Sequence, residues 1–323
     1  MAAALETPVL VIIYKRAETT RKVLEALAKV KPKRIFVSAN APNPSNSADP
    51  AKVQEVRDLF DNLPWECEVT KLFRTEHLSA KLSISGGISW FFSQVEEGIV
   101  LEDDCECDPS FFYYAQELLE KYRDHPQVMH IGASNFQFGQ KRGDASYYFS
   151  RYNHIWAWAG WRTTWQHFKL TPAELDKQKV YSAIDTLFVR DADRGFWKAM
   201  FNYAMSGRID TWDYQYMFSL WAAGGIAITP QVNLISNLGF GADATNSISA
   251  NSRVANMAVE SLEIPLTHPA AVAFNEDADN YTSDDFFGVS KSAQIGHLKI
   301  KIATLLPVTW KKKAKQLLLK IKK

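Results

Sequence analysis

Cysteine is scarce in this chain of 323 residues: Cys67, Cys105 and Cys107 are its whole supply. So small and odd a set excludes a disulfide framework and points to a reducing compartment. A single residue separates Cys105 from Cys107, which is too close for the usual zinc spacing. Long apolar runs are missing too. No stretch reaches the roughly 18 apolar residues of a membrane span. The first 16 residues have neither the basic start nor the long apolar centre of a signal peptide. There is no internal repeat, and no glycine-rich phosphate loop follows Tyr14. Acidic residues stop altogether after Asp285, although ten lysines follow it.

The rest of the composition is that of a globular protein, with 46% hydrophobic and 23% charged residues. That suffices for one large α/β domain or two small ones. Aromatics are plentiful at 13%, including ten tryptophans. The net charge of +1 conceals a division. The first 285 residues hold 27 basic and 36 acidic groups, and the lysines gather behind them. An acidic body does not suit nucleic acid, whose partners carry positive charge on the folded face. An acidic body with a basic tail suits contact with an anionic membrane.

Hydrophobic patterning predicts alternating strands and helices over the first 130 residues. Strands are expected at 9–14, 33–38, 67–73 and 98–102, and helices at 23–30, 53–60, 83–95 and 109–122. Such alternation predicts a parallel, doubly wound sheet with helices on both faces. From 130 to 245 the pattern is less regular. Strands are expected at 128–132, 147–150, 226–228 and 232–235, and helices at 161–168, 180–189, 196–205 and 214–221. The Gly- and Asn-rich stretch 237–249 reads as a loop, and 265–285 as a linker or lid.

In doubly wound sheets the ligand sits beyond the carboxyl ends of the strands. Arg16, Asn40, the segment Arg74–Lys81 and Glu102-Asp103-Asp104 all follow strands directly. Three consecutive acids after a buried strand are costly without a cation nearby. Hard oxygen ligands suit Mg²⁺ or Mn²⁺, and the plainer alternative is a solvated turn ahead of the helix at Pro109. Arg16 can contact a phosphate or a base, and Asn40 a base or ribose, although either can be an ordinary surface or turn residue. Asp213, between Trp212 and Tyr214, can be a base with a raised pKa or the N-cap of the next helix. The run from Tyr152 to Arg162, with His154, Trp156, Trp158, Gly160 and Trp161, can form a sugar-stacking wall or a core turn.

Together these motifs resemble the GT-A glycosyltransferases, and most closely the N-acetylglucosaminyltransferase I group and its bacterial relatives. The similarity spans about residues 8–245. Its most specific part is Val100-Leu-Glu-Asp-Asp104, followed by Pro109 and two aromatics. The resemblance implies a GT-A, Rossmann-like mixed sheet flanked by helices. It implies Mn²⁺ (or Mg²⁺) on Asp104, with Glu102 and Asp103 around the ribose and donor sugar. Arg16, Asn40, His77 and Lys81 become donor contacts, with Asn40 standing where the family has an acidic residue. Asp213 becomes the general base of an inverting transfer. His154, Trp156, Trp158, Gly160, Trp161, Trp212 and Asn237 become the acceptor pocket. A histidine common late in such enzymes is missing between Asn237 and Asn246.

The expected organisation is a transferase domain over 1–262, with a nucleotide-binding half at 8–130 and an acceptor half at 131–262. A linker or lid over 263–296 and a basic amphipathic tail over 297–323 complete it. In the tail, Trp310, Ala314, Leu317, Leu318 and Ile321 share one helical face, and lysines fill the other. The expected activity is transfer of a sugar, UDP-linked GlcNAc favoured, to a glycan or lipid-linked acceptor. The expected place is the cytoplasmic face of an anionic membrane, with no nucleic acid as partner. A nucleotidylyltransferase and a non-catalytic membrane-associated binding protein are the alternatives.

Overall fold

Five apolar residues in a row, Val9–Ile13, form strand β1, buried on both faces. This is the centre of a computed structural model describing residues 4–240, 253–255 and 257–291. The basic tail and most of the loop expected at 237–249 lie outside the described residues. After β1 come α1 (Ala17–Val30), β2 (Arg34–Ala39), α2 (Asp49–Asp58), β3 (Glu68–Phe73), α3 (Ala80–Gln94) and β4 (Glu97–Glu102). Then come β5 (Cys105–Cys107), α4 (Pro109–Tyr122), β6 (Val128–Gly132), β7 (Tyr147–Ser150) and β8 (Trp158–Trp161). Helices α5 (Arg162–Trp165), α6 (Lys177–Leu187), α7 (Asp191–Met205) and α8 (Asp213–Ala222) follow. The last elements are β9 (Ile226–Pro230), β10 (Ile235–Asn237) and α9 (Glu276–Tyr281).

Eight strands make one mixed, Rossmann-like sheet in the order β3-β2-β1-β4-β8-β6-β9-β7. The first four run parallel, as the alternating pattern predicts. From β1 the chain winds outward through β2 to β3, then returns to place β4 on the other side of β1. The strand order therefore reverses between β1 and β4, which is the topological switch point of an open α/β sheet. Residues of α1, α2 and α4 build the core on one face, including Val23, Leu27, Val56, Phe111 and Leu118. On the other face, Ile88, Phe91 and Phe92 of α3 pack with Trp158, Trp165, Trp212 and Tyr216. A third cluster, around Trp197, Phe218 and Trp221, joins α6, α7 and α8. Among the described residues no helix is long and apolar enough to cross a membrane.

Two expectations are corrected. The helix expected from Trp161 is instead β8, antiparallel between β4 and β6, followed by the single turn α5. Aromatic residues suit a pleated inner strand, and the Trp158 ring lies 3.2 Å from where a Gly160 Cβ would stand. Nor do residues 263–291 form a loose linker. Asp279 of α9 is 1% exposed and receives hydrogen bonds from Ser150 Oγ (2.6 Å) and the Arg151 backbone N–H (3.1 Å). Arg151 Nη1 pairs with it at 3.0 Å. Beyond α9, Phe286 stacks on Phe136 with centroids 4.3 Å apart. One sheet runs through both expected halves of the domain.

His130 of β6 is fully buried against Trp158, its Nε2 3.0 Å from the His154 carbonyl and its Nδ1 without a partner among the described residues. Burial pulls its pKa from 6.5 down to about 3. A depressed folded pKa gives stability that is complete above pH 6.5 and drains as pH falls towards 3. The slope is at most ~1.4 kcal/mol per pH unit. Thermal melts of His130→Phe between pH 7 and 4 are expected to fall less steeply than wild type; parallel slopes would contradict a neutral buried imidazole.

Candidate active site

The switch point gathers the charged ends of β1 and β4. Hydroxyls of Thr20 (2.7 Å) and Thr19 (3.2 Å) donate to the Arg16 carbonyl and fix the turn into α1. The Arg16 side chain then reaches across to the end of β4. Its Nη2 lies 2.6 Å from Asp103 Oδ1 and its Nη1 lies 2.9 Å from Asp104 Oδ2. The Tyr14 backbone N–H donates to Asp103 Oδ2 at 3.0 Å. Burial opposes the charge on Arg16, but Asp103, Asp104 and Glu102 outweigh it and raise its pKa. Burial lifts the Asp103 carboxyl as well, and Arg16 counters part of that rise.

Glu102 differs from its neighbours. Among the described residues its carboxylate makes no hydrogen bond or ion pair. Burial, with Asp104 and Asp103 alongside, pushes its pKa well above the carboxylate range, and Asp213 adds to the rise. Asp213 therefore belongs to the same field, although 110 residues separate it from Asp103 in sequence. It is the first residue of α8 rather than the N-cap, a position Trp212 holds. Oδ1 of Asp213 accepts from the Tyr214 N–H at 2.8 Å and from the Thr211 hydroxyl, while Oδ2 makes no hydrogen bond among the described residues. Burial raises its pKa. Trp212 is 4% exposed and anchors this helix start in the core.

A second ribbon covers the acids. β5 pairs antiparallel with β10, setting Asn237 opposite Cys105. The Leu238 N–H donates to the Asp104 carbonyl at 2.8 Å, and the Gly239 N–H to Asn237 Oδ1 at 2.8 Å. A Cβ at Gly239 would collide with Asp104 Oδ2 and stand 2.9 Å from Arg16 Nη1. Only glycine lets the backbone lie this close. Phe240 then meets the edge of Trp156 at 5.7 Å.

Other expected site residues have different work. The Asn40 amide is fully used: Nδ2 donates to the Leu78 carbonyl at 2.8 Å, and Oδ1 accepts from the Ala41 and Leu78 N–H groups at 3.0 and 3.1 Å. It pins two loops together and is 7% exposed, so it does not offer a base contact. Trp158, Gly160, Trp161 and Trp212 are buried in the core and form no sugar-facing wall. The His154 ring packs among Phe136, Phe286 and Phe287, and burial lowers its pKa to about 3, so it stays neutral. Trp156 is half-buried beside the acids' cover. His77 is exposed, with Nδ1 2.9 Å from the Ala41 carbonyl and its ring tilted towards Tyr14 at 5.8 Å. Lys81 is partly exposed in the first turn of α3. Sequence reasoning missed Tyr14, which also donates its hydroxyl to the buried Asp49 at 2.6 Å, and the close approach of Gly239. Their signals were a tyrosine at a strand end and a glycine in a Gly-rich loop.

Among the described residues no three His, Cys, Asp or Glu side chains converge in a metal cage. The oxygens present do fit a hard divalent cation held chiefly by phosphate and water with one protein carboxylate. Asp104 Oδ1 meets only the Cys105 thiol, at 3.7 Å, and Glu102 has no cation of its own.

No protein-family model matches the chain, and no curated protein is similar to it in sequence. Among solved structures, 4-diphosphocytidyl-2C-methyl-D-erythritol synthase of Anaerococcus prevotii superposes at a TM-score of 0.33 and 9% identity. That match covers 67% of this chain and 82% of the other. HddC of Yersinia pseudotuberculosis gives 0.31 and 13%, over 52% and 81%. The inositol-1-phosphate CTP transferase of T. maritima gives 0.30 and 10%, over 51% and 74%. With scores this low, the functional reading rests on the site's own residues.

Replacing Asn40 by alanine leaves the Ala41 and Leu78 N–H groups and the Leu78 carbonyl without partners. A loss of about 1–3 kcal/mol in denaturant unfolding is expected; unchanged stability would return Asn40 to the list of ligand contacts.

Proposed function

We propose that the protein is a metal-dependent inverting glycosyltransferase. It moves a sugar, UDP-linked GlcNAc favoured, from a nucleotide-sugar donor to a hydroxyl of a glycan or lipid-linked glycan. The observation that supports this most is the meeting of Arg16, Glu102-Asp103-Asp104 and Asp213 at the switch point. Arg16 supplies charge for the diphosphate. Asp104 would hold Mn²⁺ or Mg²⁺, which when bound neutralises the diphosphate and stabilises it as a leaving group. Glu102 and Asp103 line the ribose and donor sugar, with His77 and Lys81 at the outer edge of the donor site. Asn237 and the half-buried Trp156 flank the acceptor side.

Asp213 is the base. Thr211 and the Tyr214 N–H hold Oδ1, which leaves Oδ2 to take the proton of the acceptor hydroxyl. Its raised pKa improves it for that step. The hydroxyl oxygen bonds to the sugar's anomeric carbon as the bond to the diphosphate breaks on the opposite face. The lysine-rich run at 307–323 is proposed to draw the enzyme to an anionic membrane on the cytoplasmic side, where a lipid-linked acceptor would be met.

Asp213→Asn is expected to lower turnover by about 10²–10⁴-fold with donor affinity retained. UDP release from UDP-sugar measures the first and calorimetry the second; near-normal turnover would remove Asp213 as base. Pyrophosphate release from UTP and sugar 1-phosphate, assayed in parallel, would favour the nucleotidylyltransferase reading instead. Deleting 307–323 is expected to reduce sedimentation with anionic liposomes; equal sedimentation would remove the tail's role.

A further inference from the structure

Arg16 holds the very oxygen that a cation on Asp104 would use. Its guanidinium forks across two carboxylates, 2.6 Å from Asp103 Oδ1 and 2.9 Å from Asp104 Oδ2. The side chain is 26% exposed, while those of Asp103 and Asp104 are 3% and 11% exposed, so water screens the pair poorly. The arrangement is braced from every side. Thr19 and Thr20 hold the Arg16 carbonyl, the Tyr14 N–H holds the second oxygen of Asp103, and the Leu238 N–H holds the Asp104 carbonyl. The Gly239 backbone lies over the Arg16–Asp104 contact so closely that a Cβ there would strike Asp104 Oδ2.

We infer that Arg16 is an internal counter-cation that blocks Asp104 until a nucleoside diphosphate draws it away, so that divalent-cation binding is conditional on the nucleotide. This rests on the proposed assignment of Asp104 as the metal-holding residue. A free dication approaching Asp104 meets a positive guanidinium and an oxygen already bound. A diphosphate offers Arg16 other oxygens of equal or greater charge, which it can grip in the same forked manner. Asp104 Oδ2 is then released without leaving any charge unpaired. The coupling is reciprocal: whatever factor the nucleotide adds to cation affinity, the cation adds to nucleotide affinity. Arg16 in this role is a positioning residue, and the free protein is kept from holding a cation that has no substrate to serve.

The test is Mn²⁺ binding by electron paramagnetic resonance to the full chain, with Mn²⁺ alone and then with UDP added. Wild type, Arg16→Gln, Asp104→Asn and the double variant are compared, each checked by melting. Arg16→Gln is expected to bind Mn²⁺ alone roughly 5–150-fold more tightly than wild type, the usual range of such couplings. Adding Asp104→Asn is expected to abolish that gain. Should Arg16→Gln melt below the working temperature, Arg16→Lys, a point charge that cannot fork across both acids, is read in the same way. Equal affinity of wild type and Arg16→Gln for Mn²⁺ alone overturns the inference. If UDP still creates a Mn²⁺ site in wild type that Asp104→Asn loses, the proposed function survives that result. Absence of Mn²⁺ binding under every condition overturns both.

Discussion

A single guanidinium allows three consecutive acids to stand at the end of a buried strand. Without Arg16, Asp103 and Asp104 would carry two negative charges with little water around them, a cost of several kcal/mol per ion. With it, β1 and β4 are clasped at their carboxyl ends, and the crevice between them has a fixed shape and charge. Glu102 remains outside the clasp. It faces the field of Asp213 with no cation of its own, and this imbalance gives the crevice its affinity for a positively charged or hydrogen-bonding ligand.

The rest of the molecule holds those groups in place. The reversal of strand order sets the ends of β1 and β4 side by side. The small ribbon of β5 and β10 brings Asn237 and Gly239 down onto the acids. The aromatic core beneath the sheet fixes α8 through Trp212 and Tyr216, and with it the direction of Asp213. Buried aromatics contribute large areas and defined geometry, so a helix start carrying a partly buried carboxylate can be held rigidly. The segment around α9, tied by Arg151 and Asp279, closes the far side of the same core.

Much of the nucleotide-binding half was legible because its strands are continuous apolar runs and its helices carry clear periodicity. Val9–Ile13 and Glu97–Glu102 could be read directly, and so could the residues that follow them. The second half was harder. Trp158–Trp161 has no alternation, and tryptophan and glycine fit either a helix start or an inner strand. Its partners, β4 and β6, lie far away in sequence, and local patterning cannot supply that pairing. The chemistry of single residues was legible only as type. Asn40 was expected at the ligand because it ends a strand, yet its amide is consumed by Leu78, a partner 38 residues away. Trp158 was expected at a sugar because tryptophans clustered, yet the cluster is the core itself. The Arg16 fork was the reverse case: both of its ends were expected at the site, but the bond between them appears only in three dimensions.

The central claim is a nucleotide-diphosphate site at the switch point that works with a divalent cation. The most direct test is a thermal-shift screen of UDP, GDP, CDP and dTDP and their sugars, each with and without Mn²⁺. Ligand at about 100 times its Kd stabilises by roughly 2.7 kcal/mol, well within reach of the method. The expected result is a shift with UDP and UDP-sugar that grows when Mn²⁺ is present and disappears in Asp104→Asn. A melting temperature unmoved by every nucleotide, with and without Mn²⁺, would contradict it.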